Sequence, residues 1–332
     1  KLPIEGADLE GVLVNTVFLR DVRLGNPPDV AGKRVMVLGG GNVAIDVART
    51  AVRLGAAEVY MACLESYDKM PAHRWEIEAA EAEGVRIYPA RSFKRILAAP
   101  PLSPPQAGGM KGGERVGGLE CLNVTFMQFD ETGRLTLETE PGSEHVIPCD
   151  VVIFSIGQRA GLAFIPESAG VGVTRQQTIA VNPNTYAATR PGVFAAGDAT
   201  TGTAFVIEAV GAGHKVAESF HRYLGGGELE AKIKTELAGV ELSRGARQGR
   251  VDRGEARVTP RVPVPELPVS ERVANFAEVE TGYTDELAQA EAARCLACGI
   301  CSECLSCWYE CKAGAIDHDM VERIQDIEVG AI

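Results

Sequence analysis

Six of the chain's nine cysteines fall between positions 295 and 311: Cys295, Cys298, Cys301, Cys304, Cys307 and Cys311. Each step is Cys-x-x-Cys except the last, which is Cys-x-x-x-Cys. In the run Cys301, Cys304, Cys307, Cys311, thiolates three apart in a turning loop can converge on one cubane while backbone N–H groups face its sulfurs. A [4Fe-4S] cluster is expected there. Cys295 and Cys298 are surplus to it and could join a second cluster completed by cysteines outside the chain. Structural zinc usually takes two Cys pairs separated by a longer loop, which a continuous run does not supply. The other thiols, Cys63, Cys121 and Cys149, are widely spaced and read as structural.

A second constellation lies near the other end. Gly39-Gly40-Gly41-Asn42-Val43-Ala44 fits G-x-G-x-x-A between an apolar run, 35–38, and a helical pattern that ends at Gly55. Gly39 allows a tight turn, Gly41 lets the backbone approach a pyrophosphate, and Ala44 permits close helix–sheet contact. The free N–H groups and positive end of the helix then favour the phosphates. Glu65 closes the next strand. A carboxylate there can accept hydrogen bonds from a ribose 2′-OH and repels a 2′-phosphate, so NAD(H) is expected in preference to NADP(H). Lys69 and Arg74 lie nearby, outside the strand end.

The elements that must hold these residues read as a Rossmann-like α/β fold. Strands are expected at 35–38, 58–64, 85–88, 151–156 and 193–196. Helices are expected at 13–22, from 42 to Gly55, and at 73–83, 204–224 and 284–294. Residues 98–118 read as a Pro/Gly-rich loop, and 119–147 as an antiparallel excursion turning at Glu131-Thr132-Gly133. The expected organisation is a connector (1–31), a nicotinamide domain (32–148) inserted in a partial FAD domain that returns at 149–224, a wrapping linker (225–283), and an iron–sulfur segment opening a further domain (284–332). The linker carries spaced arginines, then Pro260, Pro263, Pro265 and Pro268, which favour an extended course over a neighbouring surface.

The chain has 332 residues, 45% of them apolar, and a formal net charge of −12. The length allows two domains and a tail. The acidic balance argues against nucleic acid as a main partner. No apolar run approaches the roughly 20 residues of a membrane-spanning helix, so membrane insertion is not expected. Clustered thiols suit a reducing compartment, and a cytoplasmic location is expected. Both ends read as cut, because Lys1 opens in an extended stretch and 327–332 read as a strand with no neighbour.

Thr189-Arg190-Pro191-Gly192-Val193-Phe194-Ala195-Ala196-Gly197-Asp198 resembles the second flavin motif of the two-dinucleotide-binding-domain flavoproteins. The resemblance implies that Gly197 and Asp198 approach the flavin ribitol. It also implies that a helix opening near Thr203-Ala204-Phe205 points its N-terminus at the isoalloxazine ring. Residues 1–224 are similar to the small subunit of glutamate synthase and its relatives. The likeness is carried by the segment from Gly32 to Asp46, by Lys69-Met70-Pro71-Ala72, and by the strand-end glycine in Ile156-Gly157-Gln158. Two features depart from that family. Leu64-Glu65 stands where NADPH-using members usually carry paired arginines, and the first flavin fingerprint, which holds the ADP part of FAD, is absent. The cysteine run has ferredoxin-like spacing. With 312–317 and 327–332 it resembles the insert and re-entry strand of the flavoprotein component of heterodisulfide reductase.

Together these imply an electron-transfer subunit that passes electrons from NADH through FAD to one [4Fe-4S] cluster, or two. The receiver would be a redox partner subunit or ferredoxin, of the heterodisulfide-reductase kind on the last resemblance. The alternatives are a non-catalytic cluster-bearing scaffold and an NADPH-dependent glutamate synthase small subunit. No side-chain acid, base or nucleophile is required by this chemistry.

Overall fold

The computed structural model describes residues 2–100, 114–129, 135–158, 160–229, 249, 252–254 and 260–293. The chain divides into two compact units, residues 1–157 with 263–284, and residues 158–262 with 285–332.

The first unit is built on a parallel sheet. β1 (Val12–Val14) runs into α1 (Asn15–Arg23), β2 (Arg34–Leu38) into α2 (Asn42–Arg53), and β3 (Glu58–Ala62) leads through α3 (Arg74–Ala82) to β4 (Arg86–Tyr88). An antiparallel excursion follows, β5 (Arg91–Ala98), β6 (Val116–Phe129), β7 (Leu135–Thr139) and β8 (His145–Ile147), before β9 (Val151–Phe154) returns to the parallel sheet. Strand order there is β1-β9-β2-β3-β4, with every pair parallel. β6 pairs antiparallel with β5, β7 and β8.

The sequence explains the layers. Val35, Met36, Val37 and Leu38 are fully buried, as expected of a strand covered on both faces. Val35 and Val37 face one core with Ile45, Ala48, Val59, Met61 and Ile77, beneath α2 and α3. Met36 and Leu38 face the other, with Leu119, Cys121, Val152 and Phe154, against the antiparallel strands. α2 turns Ala44, Ile45, Val47, Ala48 and Ala51 inward at helical spacing.

Several elements differ from what the sequence alone predicts. The compact unit is wider than 32–148, because β1 and β9 complete its sheet. Residues 13 and 14 fit the start of a helical pattern, but their backbone pairs with β9, which long-range pairing alone decides. Residues 116–118 belong to β6 rather than to a loop. Near 193–196 there is only an isolated bridge, Ala187 to Phe194. The turn at 131–133 lies outside the described residues.

Pro263–Thr284 forms a strap in the first unit. An antiparallel bridge between Glu266 and Glu280 closes its base, with Leu267 N–H donating to Val279 O at 2.8 Å and Thr281 N–H to Pro265 O at 2.8 Å. Between these ends a short helix, Val269–Arg272, presents Arg272. The second unit contains α4 (Asp198–Thr201), α5 (Val206–Leu224) and a helix at Asp285–Ala292. Among the described residues no helix is long and apolar enough to cross a membrane.

Candidate functional site

β2 and β9 are neighbours, with β3 and β4 beyond β2 and β1 beyond β9. Their carboxyl ends therefore flank the point where strand order reverses, the place where a parallel α/β sheet opens a crevice. The turn 39–41 leaves β2 at this point and enters α2.

The three glycines do different things. Gly39 has φ +135°, and a Cβ on it would lie 2.2 Å from the Ser155 carbonyl oxygen, so only glycine fits. A Cβ on Gly40 would lie 3.0 Å from Cys63 Cβ and 3.2 Å from Glu65 Oε2. Gly41 has an ordinary φ of −91°, and a Cβ there would meet nothing within 4 Å. The fold does not itself demand glycine at position 41. The space above it is open to an approaching group at the N-terminus of α2. That helix has no side-chain cap and no acidic residue in its first turn, so its free amides and positive dipole end suit a phosphate. Ala44 is fully buried against the sheet, while Val43 is half-buried.

The loop after β3 is tied across this turn. Ala72 N–H donates to Gly40 O at 3.0 Å, and His73 N–H donates to Asn42 Oδ1 at 2.9 Å. β3 ends at Ala62, so Glu65 lies three residues past the strand rather than closing it, its carbonyl accepting from Ala90 N–H at 2.7 Å and its carboxylate lying beside Gly40. Arg74 is engaged elsewhere, 2.9 Å from Glu78 and stacked over the Tyr67 ring. Burial, then the charge of Glu65, pushes the Cys63 thiol up to about 12, and backbone hydrogen bonds only partly offset this. Burial likewise pushes Cys121 and Cys149 up to about 12.

At the other lip, Gly157 has φ +93°. Two buried residues here, Ser155 and Asn15, escape a reading of the sequence for motifs. Asn15 Nδ2 donates to Ser155 Oγ at 3.3 Å, joining the start of α1 to the end of β9. The available signal is one polar residue closing each apolar strand.

The second unit carries both the string 189–198 and the segment 203–205. Gly197 has φ +65° ahead of Asp198, which is exposed at the start of α4. Thr203 Oγ1 donates to Gln158 O at 3.4 Å. Ala204 and Phe205 lead into α5, where Glu208 accepts from Phe205 N–H at 2.8 Å. The α5 N-terminus thus carries a carboxylate of its own, and Phe205 and Val206 are 59% and 82% exposed.

Cys295, Cys298, Cys301, Cys304, Cys307 and Cys311 lie outside the described residues. Among the described residues, no group of three or more His, Cys, Asp or Glu could hold a metal ion.

This sheet, turn and helix arrangement is that of the FAD/NAD(P) oxidoreductases. Residues 118–213 match the family described as pyridine nucleotide-disulphide oxidoreductase. The fold is similar to that of Mycobacterium tuberculosis FprA in complex with NADPH, with TM-score 0.52 and 17% identity over 89% of this chain and 66% of that one. Within that class the chain is glutamate-synthase-small-chain-like. It is 33% identical to the glutamate synthase [NADPH] small chain of Escherichia coli over 58% of this chain and 39% of that protein. It is 38% identical to the NADP(+)-dependent formate dehydrogenase subunit beta of Moorella thermoacetica, over 87% of this chain and 39% of that protein. The chain thus spans about two fifths of the length of these relatives.

Proposed function

We propose that the chain is part of an electron-transfer subunit that takes electrons from NADH and passes them through FAD and iron–sulfur clusters to a partner protein. The open space above Gly41, at an uncapped helix N-terminus on the switch point of a parallel sheet, carries this reading. A Cβ on Gly41 would meet nothing within 4 Å, which leaves the backbone open to the approach of a pyrophosphate. Gly39 holds the turn, Ala44 sets the helix against the sheet, and Asn42 fixes loop 66–73 through His73.

Glu65 sets the nucleotide preference. Its carboxylate beside Gly40 suits a ribose 2′-OH, and Arg74, which could have received a 2′-phosphate, is held by Glu78 and Tyr67. The relatives point the other way, since two of them are named for NADP(+) or NADPH. That favours a second reading, an NADPH-dependent subunit of the glutamate synthase type.

Gly197 and Asp198, with the segment 203–205 ahead of α5, are the residues we assign to FAD. Bound flavin would accept a hydride, two electrons at once, and release electrons singly. Asp198 and the segment 203–205 would orient it. The cysteine run would hold one [4Fe-4S] cluster, with Cys295 and Cys298 contributing to a second. The relatives named as a small chain and a beta subunit support a partner protein in a larger complex, which would act in the cytoplasm.

Anaerobic addition of NADH or NADPH, with iron and sulfide analysis of the same sample, tests the reading. Flavin bleaching by NADH at lower concentration than NADPH, in a protein that contains iron and acid-labile sulfide, is expected. Bleaching by NADPH alone would replace NADH by the second reading. No bleaching by either would remove the enzymatic reading.

A further inference from the structure

The loop that crosses the dinucleotide turn leads into α3 with two aromatic rings, His73 at its end and Trp75 in the first turn of the helix. The His73 and Trp75 rings stack with centroids 6.1 Å apart and planes inclined by 9°. Trp75 is 61% exposed, and His73 is exposed as well. The same loop is anchored at the site by two backbone donations, Ala72 to Gly40 and His73 to Asn42. It departs from Glu65, on the β3 side of the turn, away from β9 and Gly157. The pair is thus tied to the turn on the flank where the adenosine half of a dinucleotide lies in a parallel α/β crevice.

We propose that the His73–Trp75 stack is the base platform of this site: the open face of the Trp75 indole takes the adenine ring and positions the nucleotide. This rests on the dinucleotide reading of the Gly39–Ala44 turn. An indole is a large rigid ring, and a second ring stacked behind it holds its orientation before the base arrives. Every base has a π-face, so the platform contributes affinity without choosing between NADH and NADPH. That choice remains with Glu65.

The test is binding to the full chain, by calorimetry and by tryptophan emission, using NADH, ADP-ribose and nicotinamide mononucleotide as probes. ADP-ribose and NADH should quench the emission component that is lost in Trp75→Phe, and nicotinamide mononucleotide should leave it unchanged. Trp75→Ala should raise the Kd for NADH and for ADP-ribose on the order of tenfold, equivalent to about 1.4 kcal/mol. Trp75→Phe should restore most of the affinity, with Tm unchanged in both variants. NADH binding equally well to Trp75→Ala would overturn the platform while leaving the dinucleotide site standing. Quenching by nicotinamide mononucleotide would overturn the adenine assignment. Failure of the unmodified chain to bind either NADH or ADP-ribose would overturn both the platform and the site.

Discussion

The guanidinium of Arg272 lies 3.1 Å from the carboxylate of Glu83, which has no exposed side-chain surface. Glu83 follows α3, and Arg272 comes from the strap. Arg49 and Arg53 of α2 hold the same carboxylate, at 2.6 and 2.9 Å, and Arg272 also reaches Glu266 at 2.6 Å. One buried anion therefore joins two helices of the parallel sheet and the strap.

Removing that anion should be severe. Glu83→Gln leaves three guanidinium groups around an uncharged amide, and breaking a buried pair in this way costs about 3–5 kcal/mol. Urea denaturation of the variant against the unmodified chain measures it. Acid should act in the same direction. Burial pushes the Glu83 carboxyl up, but hydrogen bonds and charges from Arg49 and Arg53 outweigh it and leave the carboxyl below its ordinary 4.5. Such a group contributes stability that is fully present above the unfolded value and is lost as pH falls through the folded one. The urea midpoint should therefore fall below pH 4.5, and fall less in Glu83→Gln.

Gly39 and Gly41 should separate folding from binding. Gly39→Ala drives a methyl into the Ser155 carbonyl and should lower Tm and abolish nucleotide binding. Gly41→Ala places its methyl in open space, so stability should stay within about 0.5 kcal/mol while the Kd for NADH rises. Thermal melts and calorimetry on the two variants would show whether the open space serves a ligand.

Replacing Glu65 should change the choice of nucleotide. On the proposed placement, Glu65→Ser removes a charge that would face a 2′-phosphate, and like-charge juxtaposition costs several kcal/mol. The ratio of kcat/KM for NADH over NADPH should drop by about tenfold or more. An unchanged ratio would place the selecting group elsewhere.

The three thiols of the first unit should resist alkylation. Cys63, Cys121 and Cys149 are buried, and each is pushed up to about 12, so the thiolate that reacts is scarce at pH 8. Mass spectrometry after iodoacetamide treatment should find them unmodified in the native chain and modified in denaturant.

Much of this is legible in the residues. The apolar run 35–38, the glycine turn and Gly55 define a βαβ unit through local chemistry alone, and the structure places α2 at 42–53. The segment 12–14 is not legible, because only its pairing with β9, far along the chain, makes it a strand. The roles of the glycines are half legible. Spacing points to the turn, but only Ser155 O shows why Gly39 is obligatory, and only the nearness of Cys63 and Glu65 shows that a side chain at Gly40 would be crowded. The strap is readable as an extended, proline-rich stretch. Its attachment is not, since nothing local marks Arg272 as the arginine that meets a buried carboxylate from another part of the chain.

That attachment has a further consequence. Glu83 keeps two arginines of its own sheet layer whatever the strap does, and Arg272 keeps Glu266. Lifting the strap therefore strands neither a bare anion nor a bare cation. The Arg272–Glu83 pair thus fastens the strap to α2 and α3 without being what completes the charge balance of those helices.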